Sequence, residues 1–309
     1  MSSESRTAVA PAVSVIIPSY NCAPYLPAAL NSVFAQTLQD FEVIVVDDGS
    51  MDDTRAVMQP CSSHPNFRYV HQENRGLPGA RNAGARLARG EYLAFLDADD
   101  ELAPQALERM KTSLDRSGAS WCLVDILKVI GESREVRRTM LPAGDYLYGI
   151  LQEDFIRRGM FFRRQDFFDA GMYDEAMRYR EDWDINVRMF EGKRSFTYLP
   201  EPLYLYTWRE GSITTGKRAR VLDYTRRLLR KHHKRLADSG DREAAKIYAF
   251  NLWDLGRQYF YSVGSYRRAL SCMAESLAYD FNLGRLFHPL LHNFSRLRRS
   301  SRPADLRPA

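Results

Sequence analysis

Aspartates gather at the ends of apolar runs in this chain, and their spacing restricts what they can do. "GEYLAFLDADDEL" (Gly90 to Leu102) delivers Asp97, Asp99 and Asp100 behind a hydrophobic stretch. Residues i and i+2 of a strand share a face, so Asp97 and Asp99 are expected to point the same way, with Ala98 turned inward. Hard carboxylate oxygens suit Mg²⁺ or Mn²⁺, ions that commonly bridge protein acids to substrate phosphates. Two like charges about 5 Å apart repel by roughly 3 kcal/mol at an effective dielectric of 20. A diphosphate beside these acids would meet several such repulsions unless a cation lay between. An acidic turn capping the helix after Pro104 would explain the same letters without a ligand.

"VVDDGSMDDT" holds a second cluster. A carboxylate at Asp47 or Asp48 can accept hydrogen bonds from a base N–H or a ribose hydroxyl; the alternative is an Asx turn with Asp52 or Asp53 capping the next helix. A third cluster opens "REDWDINVRMF". Trp183, Ile185, Val187 and Met189 alternate as in a strand, whereas Glu181, Asp182 and Asp184 crowd the start and Asp184 stands four residues before Arg188. The latter are helix N-terminal features, and a helix is expected. Trp183 is open to two uses, stacking on a sugar ring or packing in the core.

These clusters need a frame. "VSVIIPSYN" and "FEVIVVDDGS" are continuous apolar runs that read as buried strands. "FRYVHQ" and "EYLAFLDADD" read as the third and fourth strands. Between them lie "YLPAALNSVFAQT", with Leu26, Leu30, Val33 and Phe34 on one helical face, a helix from "DDTRAVM", and "GARNAGARLARG", whose small residues let a helix lie close to a sheet. Alternating strand and helix with unbroken apolar strands means an α/β fold, a parallel sheet covered on both faces. Ligands of such sheets sit beyond the carboxyl ends of the strands, where "PSYN", "DDGS" and "DADD" all fall. Further on, "SWCLVDILKVI" reads as a strand, "RRTMLPAGDYLYGILQED" as loop and short helix, and "FTYLPEPLYLYTW" as late strands. Beyond Thr215 the pattern turns helical and ends in a helical hairpin.

"SVIIPSYN", "FEVIVVDDGSMDDT", "NRGLPGARNAGARLARGEYLAFLDADD" and "YDEAMRYREDWDINVRMF", in this order, resemble a family 2 inverting glycosyltransferase of the GT-A fold, from about Val13 to Thr214. The resemblance implies a bacterial surface-polysaccharide type of enzyme: a nucleotide-sugar donor, UDP-linked by family habit, and a glycan or lipid-linked saccharide acceptor. By the same resemblance Pro18 and Tyr20 flank the nucleoside, Asp48 reads the base, Asp97 lies near the ribose, and Asp99 binds Mn²⁺ or Mg²⁺ on the diphosphate, with Asp97 as its neighbour. Arg81 belongs to the segment flanking the donor, and its contact with sugar or diphosphate competes with a plain surface role. Asp182 is the general base, with Glu181 and Trp183 on the acceptor side. "YTWREGSIT" resembles the late loop over the diphosphate, which makes Arg209 and Ser212 candidates.

The chain has 309 residues, 45% hydrophobic and 27% charged, enough for one sizeable core and a smaller unit. The expected division is a disordered lead over 1–12, a GT-A domain over 13–215 and a basic helical region over 216–309. That last region holds 20 Lys and Arg against 8 Asp and Glu, a net of +12, whereas the first 215 residues carry a net of −7. A tail this basic fits an anionic partner. "LFHPLLHNFSRLRRSSR" suits an interfacial helix on an anionic membrane, the alternative being a basic helix packed on the catalytic domain; nucleic acid is not expected. With no apolar run of about 18 residues and no signal-peptide pattern at the start, a cytoplasmic protein is expected, at the inner membrane face if the tail docks there. His232 and His233 are expected to be solvated. The four scattered cysteines read as buried small residues, with neither disulfide nor zinc. The first strand is followed by neither a glycine-rich nucleotidyltransferase loop nor G-x-G-x-x-G, and no G-x-x-x-x-G-K-[ST] occurs. A dead transferase scaffold serving as an adaptor is the remaining rival.

Overall fold

β-Branched runs build the centre of this protein. The computed structural model describes residues 10–156, 161–209 and 218–280; Ser212 and the segment 286–294 lie outside them. In chain order the first elements are β1 (Val13–Ser19), α1 (Leu26–Phe34), β2 (Phe41–Asp47), α2 (Thr54–Met58), β3 (Phe67–His71), α3 (Leu77–Leu87) and β4 (Tyr92–Phe95). There follow β5 (Glu101–Leu102), α4 (Ala106–Ser117), β6 (Trp121–Ile130), β7 (Ser133–Arg137), α5 (Tyr146–Gln152), β8 (Phe161–Arg163), α6 (Arg164–Asp169), α7 (Glu181–Glu191) and β9 (Phe196–Thr207).

One mostly parallel sheet, ordered β3-β2-β1-β4-β8-β6-β9-β5, runs through these elements, with β7 added to β6. The β3-β2-β1-β4 half is parallel throughout. β8 runs antiparallel to both β4 and β6, which brings β6 and β9 back into the direction of β1. β1, β2 and β4 are buried along their whole length, as a sheet covered on both faces requires. Pro18 occupies this central strand without cost: β4 pairs with β1 only as far as Ile16, and the last bond on that side is Leu96 N–H to the Ile16 carbonyl. The proline thus falls where no partner asks for its missing N–H.

α3 follows the expectation drawn from its small residues. A methyl at Gly84 would collide with Ile16 of β1 and stand 3.3 Å from Val46 of β2, so glycine is what lets the helix rest on the sheet. Two expectations change. "FTYLPEPLYLYTW" is one long strand, β9, whose pairing with β6 slips around Asp125. β4 ends at Phe95, so Asp97 to Asp100 form a turn beyond the strand, closed by Asp100 N–H to the Asp97 carbonyl at 3.0 Å. Their convergence is the work of a turn, not of the pleat.

The described residues fall into two compact units, divided between Leu228 and Leu229. α8 (Arg218–Leu229) closes the first, where Arg180 donates to Thr225 Oγ1 at 3.0 Å. The second contains a π-helical turn over Arg230–Lys234, α9 (Arg235–Asp238), α10 (Arg242–Gln258), a second π-helical turn over Tyr259–Val263, and α11 (Tyr266–Tyr279). α10 and α11 form the expected hairpin, tied by Ser276 Oγ to the Ala249 carbonyl at 2.6 Å and Tyr248 Oη to Glu275 at 2.6 Å. His232 and His233 are buried, not solvated; the widened π-turn places both inside. Cys122 and Cys272 are buried as expected, whereas Cys22 and Cys61 are half-buried, and none of the four is joined in a disulfide. No helix among the described residues is long and apolar enough to cross a membrane.

Candidate active site

The carboxyl ends of β1, β2 and β4 share one rim because the three strands are parallel neighbours. After β1, Asn21 adopts φ 52° and crosses to the next loop: its N–H donates to Ser50 Oγ at 2.9 Å, and its Oδ1 accepts from Met51 N–H at 2.8 Å. Asp52 joins the same two loops, accepting from Ala23 N–H at 3.0 Å and from Thr54 N–H and Oγ1 at 3.1 and 2.6 Å. Asp52 therefore acts at the start of α2, although Asp53 holds the N-cap position. Tyr20 stands exposed on this rim, while Pro18 is buried beneath it.

The "DDGS" acids are consumed by the chain itself. Burial works to raise the Asp47 carboxyl, but hydrogen bonds from Ser50, Tyr69 and His71 outweigh it and hold the group below the usual range. Asp48 accepts from Gln72 Nε2 at 2.7 Å, Arg75 N–H at 2.8 Å and Gly76 N–H at 2.7 Å, and is buried. It fixes the loop that leads into α3. Gly49, at φ 79°, lets the turn pass beneath Asn74.

Beyond β4, oxygens of Asp97, Asp99 and Asp100 lie within 4.8 Å of one another. Asp100 is the buried member; it accepts from Tyr204 Oη at 2.8 Å and Thr207 N–H at 2.9 Å. Tyr204 Oη also accepts from Asp97 N–H at 3.2 Å, so β9 braces the turn. Asp97 and Asp99 are partly exposed. An all-carboxylate donor set on a turn at the strand ends fits a hard divalent cation, and Asp97 and Asp99 are the residues that would hold it.

Arg81 links this turn to the third cluster. From α3 it donates to Asp97 Oδ1 at 2.8 Å, Asp182 Oδ1 at 2.8 Å and Glu181 Oε1 at 3.0 Å, with its guanidinium 5.1 Å from the centre of the Tyr173 ring. It is buried, and neither a surface arginine nor, in this arrangement, an open donor contact. Glu181, Asp182 and Asp184 form the first turn of α7, as their charges led one to expect; Arg180, at φ 64°, sets the helix start. Burial, then the neighbouring charge of Asp182, pushes the Glu181 carboxyl up to about 8 against the pull of Arg81. Burial and Asp182 thus favour the protonated form of Glu181, while its hydrogen bond from Arg81 opposes the shift. The exposures separate the pair: 34% for the Asp182 side chain against 8% for Glu181.

The structure gathers Asp97, Asp99, Asp182, Glu181 and Arg81 on the rim. Arg209 also reaches it, donating through Nε to Asp99 at 2.8 Å. Trp183 does not: it is buried, and its Nε1 donates to the Ile150 carbonyl at 2.7 Å. Asp184 is buried and paired with Arg188 at 2.9 Å, a structural bond. Three contributors carried no sequence signal, namely Tyr204 beneath the acidic turn, Tyr173 under Arg81, and Asn82, which exchanges hydrogen bonds of 2.8 and 3.0 Å with the Tyr173 backbone.

The model of the family described as Glycosyl transferase family 2 matches residues 14–180. A curated relative, the succinoglycan biosynthesis protein ExoO of Rhizobium meliloti, is 32% identical over 235 residues, covering 69% of this chain and 65% of its own length. The chain likewise spans 63% and 62% of two further curated relatives. Among solved structures, TarS 1-349 of S. aureus in complex with UDP-GlcNAc has a TM-score of 0.66 at 21% identity, covering 86% of this chain and 81% of that one. The mannosyltransferase PcManGT of Pyrobaculum calidifontis, solved with GDP-Man and Mn²⁺, has a TM-score of 0.56 at 18% identity over 94% of this chain and 81% of that one. These likenesses show the fold, a GT-A-like curled sheet flanked by helices.

Proposed function

The chain belongs to glycosyl transferase family 2, and from that premise we propose that it transfers a sugar from a nucleoside-diphosphate donor to a hydroxyl of a glycan or lipid-linked saccharide, with inversion. One observation carries the reading: Arg81 ties Asp97, on the turn that would face a donor diphosphate, directly to Asp182, the more exposed acid at the start of α7. Donor-side and acceptor-side carboxylates therefore belong to one assembly held by a single buried cation.

In this reading Asp182 accepts the proton of the acceptor hydroxyl as its oxygen bonds to the anomeric carbon and the bond to the diphosphate breaks. A carboxylate is basic enough because the hydroxyl acidifies as the new bond forms. Arg81 orients Asp182 through its 2.8 Å hydrogen bond, with Glu181 beside it on the same guanidinium nitrogen. Asp97 and Asp99 would hold a divalent ion, Mg²⁺ or Mn²⁺, which supplies charge neutralisation at the departing diphosphate. A single displacement on one face inverts the anomeric centre. UDP as the nucleotide is supported by the likeness to TarS, solved with UDP-GlcNAc, and the ion by the mannosyltransferase solved with Mn²⁺. The role of ExoO in making a polysaccharide supports the acceptor class.

For the basic region we favour contact with an anionic membrane at its cytoplasmic face. Phe260, Tyr261, Tyr266 and Leu270 are exposed at the tip of the α10–α11 hairpin, with rings packed at 5.0 Å. Arg257, Arg267 and Arg268 lie in the same stretch, which has no acid from residue 255 to 274. Aromatic rings beside arginines suit a headgroup layer.

The decisive test measures nucleotide release from a panel of nucleotide sugars with and without MnCl₂, and with saccharide acceptors. Metal-dependent turnover of at least one donor is expected. No turnover with any donor would leave the adaptor reading standing.

A further inference from the structure

Every acid of the turn after β4 is already engaged, but by partners of different kinds. Asp100 is held by a tyrosine hydroxyl and a backbone N–H, and Asp97 by the buried Arg81. Asp99 is held by Arg209, whose Nε and one terminal nitrogen stand 2.8 and 2.7 Å from the same Oδ2. Arg209 is the more exposed of the two arginines, at 29% against 5% for Arg81. Its guanidinium rests 4.1 Å above the Tyr25 ring, and a terminal nitrogen lies 3.9 Å from Cys22 Sγ. The end of β9 sets its position, since Trp208 N–H donates to the Val129 carbonyl at 2.8 Å and Thr207 N–H to Asp100.

A carboxylate oxygen that accepts a hydrogen bond from a guanidinium and lies 2.7 Å from a second of its nitrogens cannot also coordinate a divalent ion without bringing two cations together. We propose that Arg209 is an internal counter-cation for Asp99, one that a divalent ion must displace and that passes to the donor's phosphate oxygens when it leaves. This rests on the transferase reading above and deepens it. A bare ion arriving alone strips Arg209 of its anion and offers nothing in return. An ion arriving with a nucleoside diphosphate brings the anion that receives the arginine. The exchange makes ion and nucleotide bind cooperatively, beyond the bridge they form with each other, and it keeps the empty site from filling with free metal.

The test needs no turnover. Free Mn²⁺ is followed by its electron paramagnetic resonance signal during titration of the whole protein with MnCl₂, first alone and then with saturating UDP or GDP. For Arg209→Gln, Mn²⁺ alone should bind about tenfold more tightly than to wild type, and the tightening on adding nucleotide should shrink by a similar factor, a coupling of ordinary size. Arg209→Lys, which keeps the charge, should stay near wild type. Tyr25→Ala, which removes only the ring under the guanidinium, should move in the direction of Arg209→Gln by a smaller factor. Unchanged Mn²⁺ affinity in Arg209→Gln, with Asp99→Asn losing the ion, overturns the counter-cation and leaves the metal site in place. If Asp99→Asn binds Mn²⁺ as wild type does, the metal site itself is misplaced, and both ideas fall.

Discussion

Two aspartate turns stand side by side on this rim, one after β2 and one after β4, and they are built to opposite ends. Asp47 and Asp48 are deeply buried, and neutral donors from a loop and a neighbouring strand fill most of their oxygens. Asp97 and Asp99 remain partly open, and what faces them is positive: Arg81 and Arg209. Backbone amides cannot leave, so the first turn is architecture. Guanidinium groups can exchange for another cation, so the second is a place where charge is traded. The same letters carry different duties because of what the surrounding chain aims at them.

Breaking each turn should give opposite phenotypes. The largest effect belongs to the chemistry. Asp182→Asn should lower transfer by about a thousandfold, the range of a lost general base, while Mn²⁺-dependent nucleotide binding, followed by calorimetry, persists. Normal turnover in that variant would remove Asp182 from its role. Asp99→Ala should abolish metal-dependent donor binding yet cost less than about 1 kcal/mol of stability, since its ion pair is partly solvated. Asp48→Ala should do the reverse: about 3 kcal/mol or more is lost when three donors are left without an acceptor, readable in chemical denaturation, with Mn²⁺ affinity of the folded fraction unchanged.

A smaller effect sharpens the contrast through pH. In the folded chain Glu181 keeps its proton up to about 8, whereas the unfolded chain gives it up near 4.5. Between those values the folded state holds the extra proton, so this residue makes stability fall as pH rises. Glu181→Gln should flatten the decline of the melting temperature from pH 5 to pH 8.5. An equal slope in both proteins would mean that Glu181 is ionised throughout.

The sequence-level reading reached the parallel half of the sheet because strands buried on both faces announce themselves as unbroken apolar runs. It reached the acids for a related reason, since charge at the end of such a run is conspicuous. α7 was legible from its acidic first turn even though its apolar residues alternate. What it could not reach lies far away along the chain. Tyr204 meets Asp100 across 104 positions, and Asn82 meets Tyr173 across 91; no local pattern marks either. Arg81 is a candidate by resemblance, but its partners Glu181 and Asp182, 100 and 101 positions on, carry no local signal that would join them to it. Trp183, open to two uses on the sequence, is decided by the structure. An aromatic beside an acid pair looks like a sugar platform, yet the hydrogen bond to Ile150 and its burial show a ring serving the interior. The acidic turn was placed correctly and shaped wrongly, because only the backbone reveals that β4 stops at Phe95, two residues before the first carboxylate.

Gly84 sits three residues after Arg81 on the same helix, pressed against Ile16. Whatever side chain is added there must lift α3, and the lift travels to the guanidinium that holds Asp182. Gly84→Ala is therefore expected to leave a folded protein that turns over slowly, since displacements of about 1 Å at a reacting centre can cost a hundredfold. A hydrogen atom on the hidden side of a helix would then be setting the tempo of a reaction on the open side of the sheet.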